Sequence, residues 1–171
     1  INGFGAPLES NQIQIDATVV GLANRAMITG NLVGTSADGT NAGTQEFVGI
    51  FTNGAALITN NYVAYIENNG VMMSLAWMGT PNTQPVSFIN NEIAFNQYTV
   101  GFTGDLVSDV PSNAVVQGNY IHDFQGAAPV DNRLGKGIEI WYQTQNALIE
   151  NNTITNTQIA GIGLNDGSNN N

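Results

Sequence analysis

Residues 56–63 read ALITNNYV: a small residue, an apolar residue two places on, then Asn61 and Val63 at fixed offsets. The same order recurs without gaps as APLESNQI (6–13), AMITGNLV (26–33), VSFINNEI (86–93), AVVQGNYI (114–121) and ALIENNTI (147–154). The shared asparagine is Asn11, Asn31, Asn61, Asn91, Asn119 and Asn152. Each segment is followed by an apolar-x-apolar pattern: Val20/Leu22, Val48/Ile50, Val71/Met73, Val100/Phe102, Ile138/Ile140 and Ile162/Leu164. Self-similarity of this kind marks a repeat architecture.

Each repeat predicts three short strands rather than a helix. Apolar residues alternate with period two, and Asn and Gly interrupt the chain between pieces. Such short strands bury no face alone, but stacking equivalent strands closes a hydrophobic interior in which each coil supports the next. The fold expected is therefore all-β, a single-stranded parallel β-helix of about six coils, with strands about 4.8 Å apart and a rod about 30 Å long. The first strand supplies the columns of Ala26 and Ile28, and the second supplies Ile13, Val33, Val63, Ile93, Ile121 and Ile154. Between them lies a two-residue corner such as Gly30-Asn31 or Asn60-Asn61, which calls for residues that tolerate left-handed geometry. Asparagines stacked in register at this corner also hydrogen-bond from coil to coil, an Asn ladder of structural rather than catalytic kind.

Composition narrows the function. The chain has 171 residues, 25 of them Asn and 20 Gly, with 9% charged residues. Thirteen acids against three bases leave a formal charge of −10, which argues against nucleic acid as a partner. No apolar run approaches the roughly 20 residues of a spanning helix, so no membrane span is expected. With no Cys, disulfides and cysteine zinc sites are excluded. A hydrophobic content of 42% is too high for disorder.

The Asn-corner-x-Ile signature, Gly161-Ile162-Gly163-Leu164 and Asn119-Tyr120-Ile121-His122 resemble the right-handed parallel β-helix superfamily, over residues 6–171. That superfamily includes pectate lyases, polygalacturonases, alginate epimerases and surface proteins. The resemblance implies the right-handed coil, in agreement with the hand of parallel crossovers. With the acidic, Lys-poor composition it also implies an extracellular or cell-surface setting, here expected in a prokaryote. It leaves activity open, because one fold hosts many functions.

Successive repeats begin 20, 30, 30, 28 and 33 residues apart. The variation lies in two loops flanking the third strand, expanded at 34–47 and 122–137 before it and at 74–85 and 103–113 after it. In the superfamily such loops frame a groove over the outer face of that strand. Gly21, Gly49, Met72, Gly101, Glu139 and Gly163 are expected on this outer face, with Trp141 and Tyr142 just beyond Glu139. Three of the four basic or imidazole side chains, His122, Arg133 and Lys136, share the 122–137 loop with Asp123 and Asp131. In a catalytic reading His122 and Glu139 serve as acid and base. Trp141 and Tyr142 hold a sugar ring, and Arg133, Lys136 and Asp131 contact the substrate. In a plainer reading Trp141 packs under a loop, and Arg133 and Lys136 pair with Asp123 and Asp131.

The enzyme motifs of the superfamily are missing. There is no G-H-G or R-I-K element, and the only histidine stands in Ile121-His122-Asp123 rather than in D-P-H. No cofactor is required by the pattern. Calcium is the ion that Asp105, Asp109, Asp123, Asp131 and Glu139 would suit. The repeat is already running at Ile1-Asn2-Gly3-Phe4 and still running at Asn171. Residues 1–171 are thus expected to form one β-helix domain, within a longer chain or stacked head to tail on copies of itself. Two functions stay open. One is an extracellular structural, filament-forming or adhesive protein that contacts glycans; the other is a polysaccharide lyase, epimerase or hydrolase working over the third strand.

Overall fold

A computed structural model describes residues 11–16, 26–41, 48–53, 56–66, 69–74, 76–77, 80–81, 86–96, 98–103, 113–125, 136–141 and 146–164. The strand β1 (Asn11–Asp16) comes first. Coils then follow as β2 (Ala26–Thr29), β3 (Leu32–Val33), β4 (Val48–Asn53); β5 (Ala56–Thr59), β6 (Tyr62–Ala64), β7 (Asn69–Ser74). After a small antiparallel pair, β8 (Ala76–Trp77) and β9 (Thr80–Pro81), come β10 (Ser87–Ile89), β11 (Glu92–Ala94), β12 (Tyr98–Thr103). The last two coils are β13 (Val115–Gln117), β14 (Tyr120–His122), β15 (Lys136–Trp141) and β16 (Leu148–Glu150), β17 (Thr153–Ile154), β18 (Ala160–Leu164).

Equivalent strands stack into three parallel sheets. The first-strand sheet runs β2-β5-β10-β13-β16, the second β3-β6-β11-β14-β17, and the third β1-β4-β7-β12-β15-β18. Their inward residues meet in one core of Ile28, Ile58, Phe88 and Val116, Val33, Val63, Ile93 and Ile121, with Ile50, Ile138 and Ile140 from the third sheet. This is the all-β parallel solenoid that the repeat predicts.

Each corner between first and second strand is turned by a residue of positive φ: Gly30 (68°), Asn60 (56°), Asn90 (54°), Gly118 (68°) and Asn151 (55°). The next residue is the asparagine of the column. Its amide Nδ2 donates to Oδ1 of the next coil, from Asn31 to Asn61 and Asn61 to Asn91 at 2.9 Å, Asn91 to Asn119 at 3.1 Å, and Asn119 to Asn152 at 2.9 Å. The same Oδ1 also accepts the backbone N–H of the preceding rung, as Asn61 N to Asn91 Oδ1 at 3.0 Å. The second amide hydrogen reaches a first-strand carbonyl of that rung, as Asn91 Nδ2 to Ile58 O at 2.9 Å. A buried turn is thereby left with few orphaned polar groups, which is what a buried backbone requires.

Two registers differ from the sequence expectation. Asn11 does not stand at a ladder corner: β1 pairs with β4, Asn11 opposite Val48 and Ile13 opposite Ile50, so β1 is a third-sheet strand. Ile13-x-Ile15 satisfies the third-strand pattern as well as Asn11-x-Ile13 satisfies the corner pattern, and the five-pair ladder to β4 decides for the third sheet. In the following coil Ile50 and Thr52, not Val48 and Ile50, oppose Val71 and Met73. Thr52 is fully buried, its β-branched side chain filling a place where an apolar residue is expected. Val20 and Leu22 lie outside the described residues.

The 34–47 expansion carries its own turn over residues 35–41. Thr40 donates to Asp38 Oδ1 from Oγ1 at 2.7 Å and from its backbone N–H at 3.1 Å, and Ser36 Oγ donates at 2.8 Å. Those bonds hold the exposed Asp38 carboxyl down at about 2, as expected for a carboxylate that accepts several hydrogen bonds.

Candidate functional site

The expected acid and base stand on different sheets. Glu139, on β15, is completely buried, and Lys136 on the same strand donates to its Oε1 from Nζ. The Lys136 stem crosses Gly163 of the next rung so closely that a Cβ there would overlap Lys136 Cδ. Lys136 therefore pairs with Glu139 rather than with Asp123. Trp141 closes β15 opposite Thr103. Asp131, Arg133 and Tyr142 lie outside the described residues, as do Asp105 and Asp109. Among the described residues no three His, Asp or Glu side chains come together to hold a metal ion.

His122 belongs to the second-strand sheet. Its Nδ1 lies 2.9 Å from Asp123 Oδ2 and its Nε2 lies 3.2 Å from Glu92 Oε1, one coil away. A doubly protonated ring donates to both carboxylates, a neutral ring to one. The ring stacks on Tyr120 at 3.9 Å between centroids and meets Phe95 edge-on at 5.9 Å. Asn156 Nδ2 donates to the other Asp123 oxygen at 2.6 Å. The hydrogen bond to His122, seconded by that from Asn156, keeps the Asp123 carboxyl below the ordinary carboxylate value.

These groups belong to a longer strip. Leu32, Tyr62, Glu92, Tyr120 and Thr153 share one outward column across the five rungs of the second-strand sheet. Three positions on, where each strand ends, Tyr65, Phe95, Asp123 and Asn156 all adopt positive φ, between 52° and 61°. Tyr65 and Phe95 stack with centroids 5.1 Å apart and planes 9° from parallel. Two buried alanines, Ala64 and Ala94, occupy the outward column between the two rows. Burial pushes the Tyr62 phenol up to about 12, helped by Tyr65 and Glu92 beside it. Glu92 and Asp123 remain open to solvent, their side chains 48% and 40% exposed.

The site is thus a shallow row of half-buried aromatic rings interrupted by carboxylates, running along the stack of coils. Its members anticipated from sequence are His122 and Asp123. The Tyr62, Glu92, Tyr120 column is legible in the sequence from the outward positions of the second strand, taken rung by rung.

The family profile described as "Right handed beta helix region" matches residues 48–171, well over half of the chain. The chain belongs to the right-handed β-helix family. Neither the curated proteins nor the solved structures compared with it gave a match. Among the described residues no helix is long and apolar enough to cross a membrane.

Proposed function

We propose that this chain is the glycan-contacting rod of an extracellular or cell-surface protein of structural or adhesive type. The observation that carries this reading is the strip of the half-buried rings Tyr62, Tyr65 and Phe95 and the exposed Tyr120, with Glu92 and Asp123 beside them. Aromatic faces pack against the C–H faces of sugar rings while carboxylates accept their hydroxyls, a division of labour that amphipathic rings serve well. A lyase, epimerase or hydrolase needs an acid and a base facing one bond. That alternative has less support, since Glu139 is buried against Lys136 and His122 stands on another sheet. Affinity electrophoresis through gels containing soluble polysaccharides tests the proposal. Retardation in at least one gel is expected, reduced about tenfold in apparent affinity by Tyr120→Ala with Tyr65→Ala, since two lost stacking contacts are together worth about 1.4 kcal/mol. Equal retardation of variant and parent would sink it.

A further inference from the structure

The strip has a period and a charge, and together they point to one class of ligand. Tyr62, Glu92 and Tyr120 occupy the same place on three successive rungs, and Tyr65, Phe95 and Asp123 the same place in the adjoining row. Neighbouring rungs are about 4.8 Å apart, close to the length of one pyranose in an extended β-linked chain. A linear glycan laid along the stack therefore meets an equivalent pair of positions at every sugar. Along the first row a ring at Tyr62 is followed by a carboxylate at Glu92 and a ring at Tyr120, and along the second two rings, Tyr65 and Phe95, are followed by the carboxylate of Asp123.

The charge is one-sided. The chain carries thirteen acids against three bases, and the single lysine among the described residues, Lys136, is buried on another sheet against Glu139. Each of Glu92 and Asp123 lends an oxygen to His122, yet both keep nearly half their side chain in solvent and have lone pairs to spare. A polyuronate would be repelled by this field. A neutral sugar would leave the carboxylates with hydroxyl contacts only. A primary ammonium on the sugar satisfies both elements at once, pairing with the carboxylates and lying over the electron-rich faces of the tyrosines.

Resting on the glycan-contacting reading above, we infer that the second-strand sheet binds a linear, amine-bearing glycan along the axis of the helix, one sugar per coil. Its ammonium groups sit against Glu92 and Asp123, and its sugar rings lie against Tyr62 and Tyr120. The ligand class is a polymer of free amino sugars, not an acidic one, and its seat lies away from the third strand.

Isothermal titration with β-linked hexamers of glucosamine, N-acetylglucosamine, glucose and galacturonate, at low and high salt, tests this on the full chain. The glucosamine hexamer is expected to bind roughly tenfold or more tightly than the neutral ones. That preference should shrink in high salt, and Glu92→Gln with Asp123→Asn should erase it, so that the variant binds the glucosamine hexamer no more tightly than the neutral ones. A glucosamine trimer should bind more weakly than the hexamer. Equal binding of neutral and amino hexamers, or preference for galacturonate, overturns the inference and leaves the broader glycan reading standing. Tight binding of glucosamine untouched by the double amide variant overturns the placement at this strip. Failure to bind any hexamer or any polysaccharide gel overturns both readings together. Circular dichroism of the amide variant guards against loss of fold, and the two half-exposed side chains make its retention the expected result.

Discussion

Lys136→Met is expected to cost about 3–5 kcal/mol of unfolding free energy, whereas Lys136→Met combined with Glu139→Leu should restore most of it. The physical reason is the burial of both partners, 6% exposure for Lys136 and none for Glu139. Removing the ammonium leaves an anion in the interior without its cation, and a carboxylate there is far more costly than a methyl group. Removing both charges replaces a desolvated pair by apolar volume, which similar exchanges tolerate well. Urea unfolding followed by far-ultraviolet circular dichroism measures the three proteins. If the double variant is no more stable than the single one, Glu139 is not the group that makes Lys136 necessary. Gly163 belongs to the same arrangement, because only a residue without a side chain lets the Lys136 stem cross that rung.

Asn91→Ala is expected to destabilise the chain by about 3 kcal/mol, and Asn31→Ala by about 1 kcal/mol, given the 1–3 kcal/mol of each orphaned buried polar group. Asn91 is buried at the middle of the ladder and serves Asn61 on one side, Asn119 on the other, and the carbonyl of Ile58. Asn31 receives nothing from another ladder asparagine, so less is orphaned there. Asn91→Asp is sharper still. It points an acceptor at Ile58 O and Asn119 Oδ1, where the native amide donates, so the carboxyl is favoured in its protonated form and its pKa is raised in the folded state. Folded chains then hold more protons than unfolded ones below that raised value, and stability falls as pH rises through it. The Asp variant should therefore regain stability on mild acidification relative to the Ala variant. Parallel pH dependence of the two would show that the ladder amide does not donate as the geometry has it.

The core columns and the ladder were legible because they repeat: Val33, Val63, Ile93 and Ile121 reveal one another. Register at a single rung was harder. Ile13 fits two patterns equally, and only its ladder to β4 separates them, although the 20-residue first period was already too short for three strands and their turns. Thr52 escapes an apolar pattern because its hydroxyl counts as polar on a hydropathy scale, although the side chain is buried in the core. The partnership of His122 with Glu92 spans one coil and becomes visible only when outward positions are tabulated across rungs. Lys136 and Glu139 are three apart along a strand, a spacing that regular alternation assigns to opposite faces, so their contact was not readable from sequence. The pairings Lys136 to Ala160 and Ile138 to Ile162 do not include a Gly137 to Gly161 pair between them, and it is across this irregular step that the two side chains meet.

The direction of the hydrogen bonds also sets how such a rod bears load. In a stack of parallel strands the backbone bonds and the Asn31-to-Asn152 amide chain run along the axis, from rung to rung, while the polypeptide winds across it. Tension applied between the first and last rungs therefore falls on those bonds in series, and the coil with the fewest of them yields before the rest. Force applied across the axis is shared by covalent chain and by every rung in parallel. A molecule built this way is stiff and hard to shear sideways, but it peels from an end one turn at a time, a mechanical anisotropy fixed by the same column of asparagines that closes the corners.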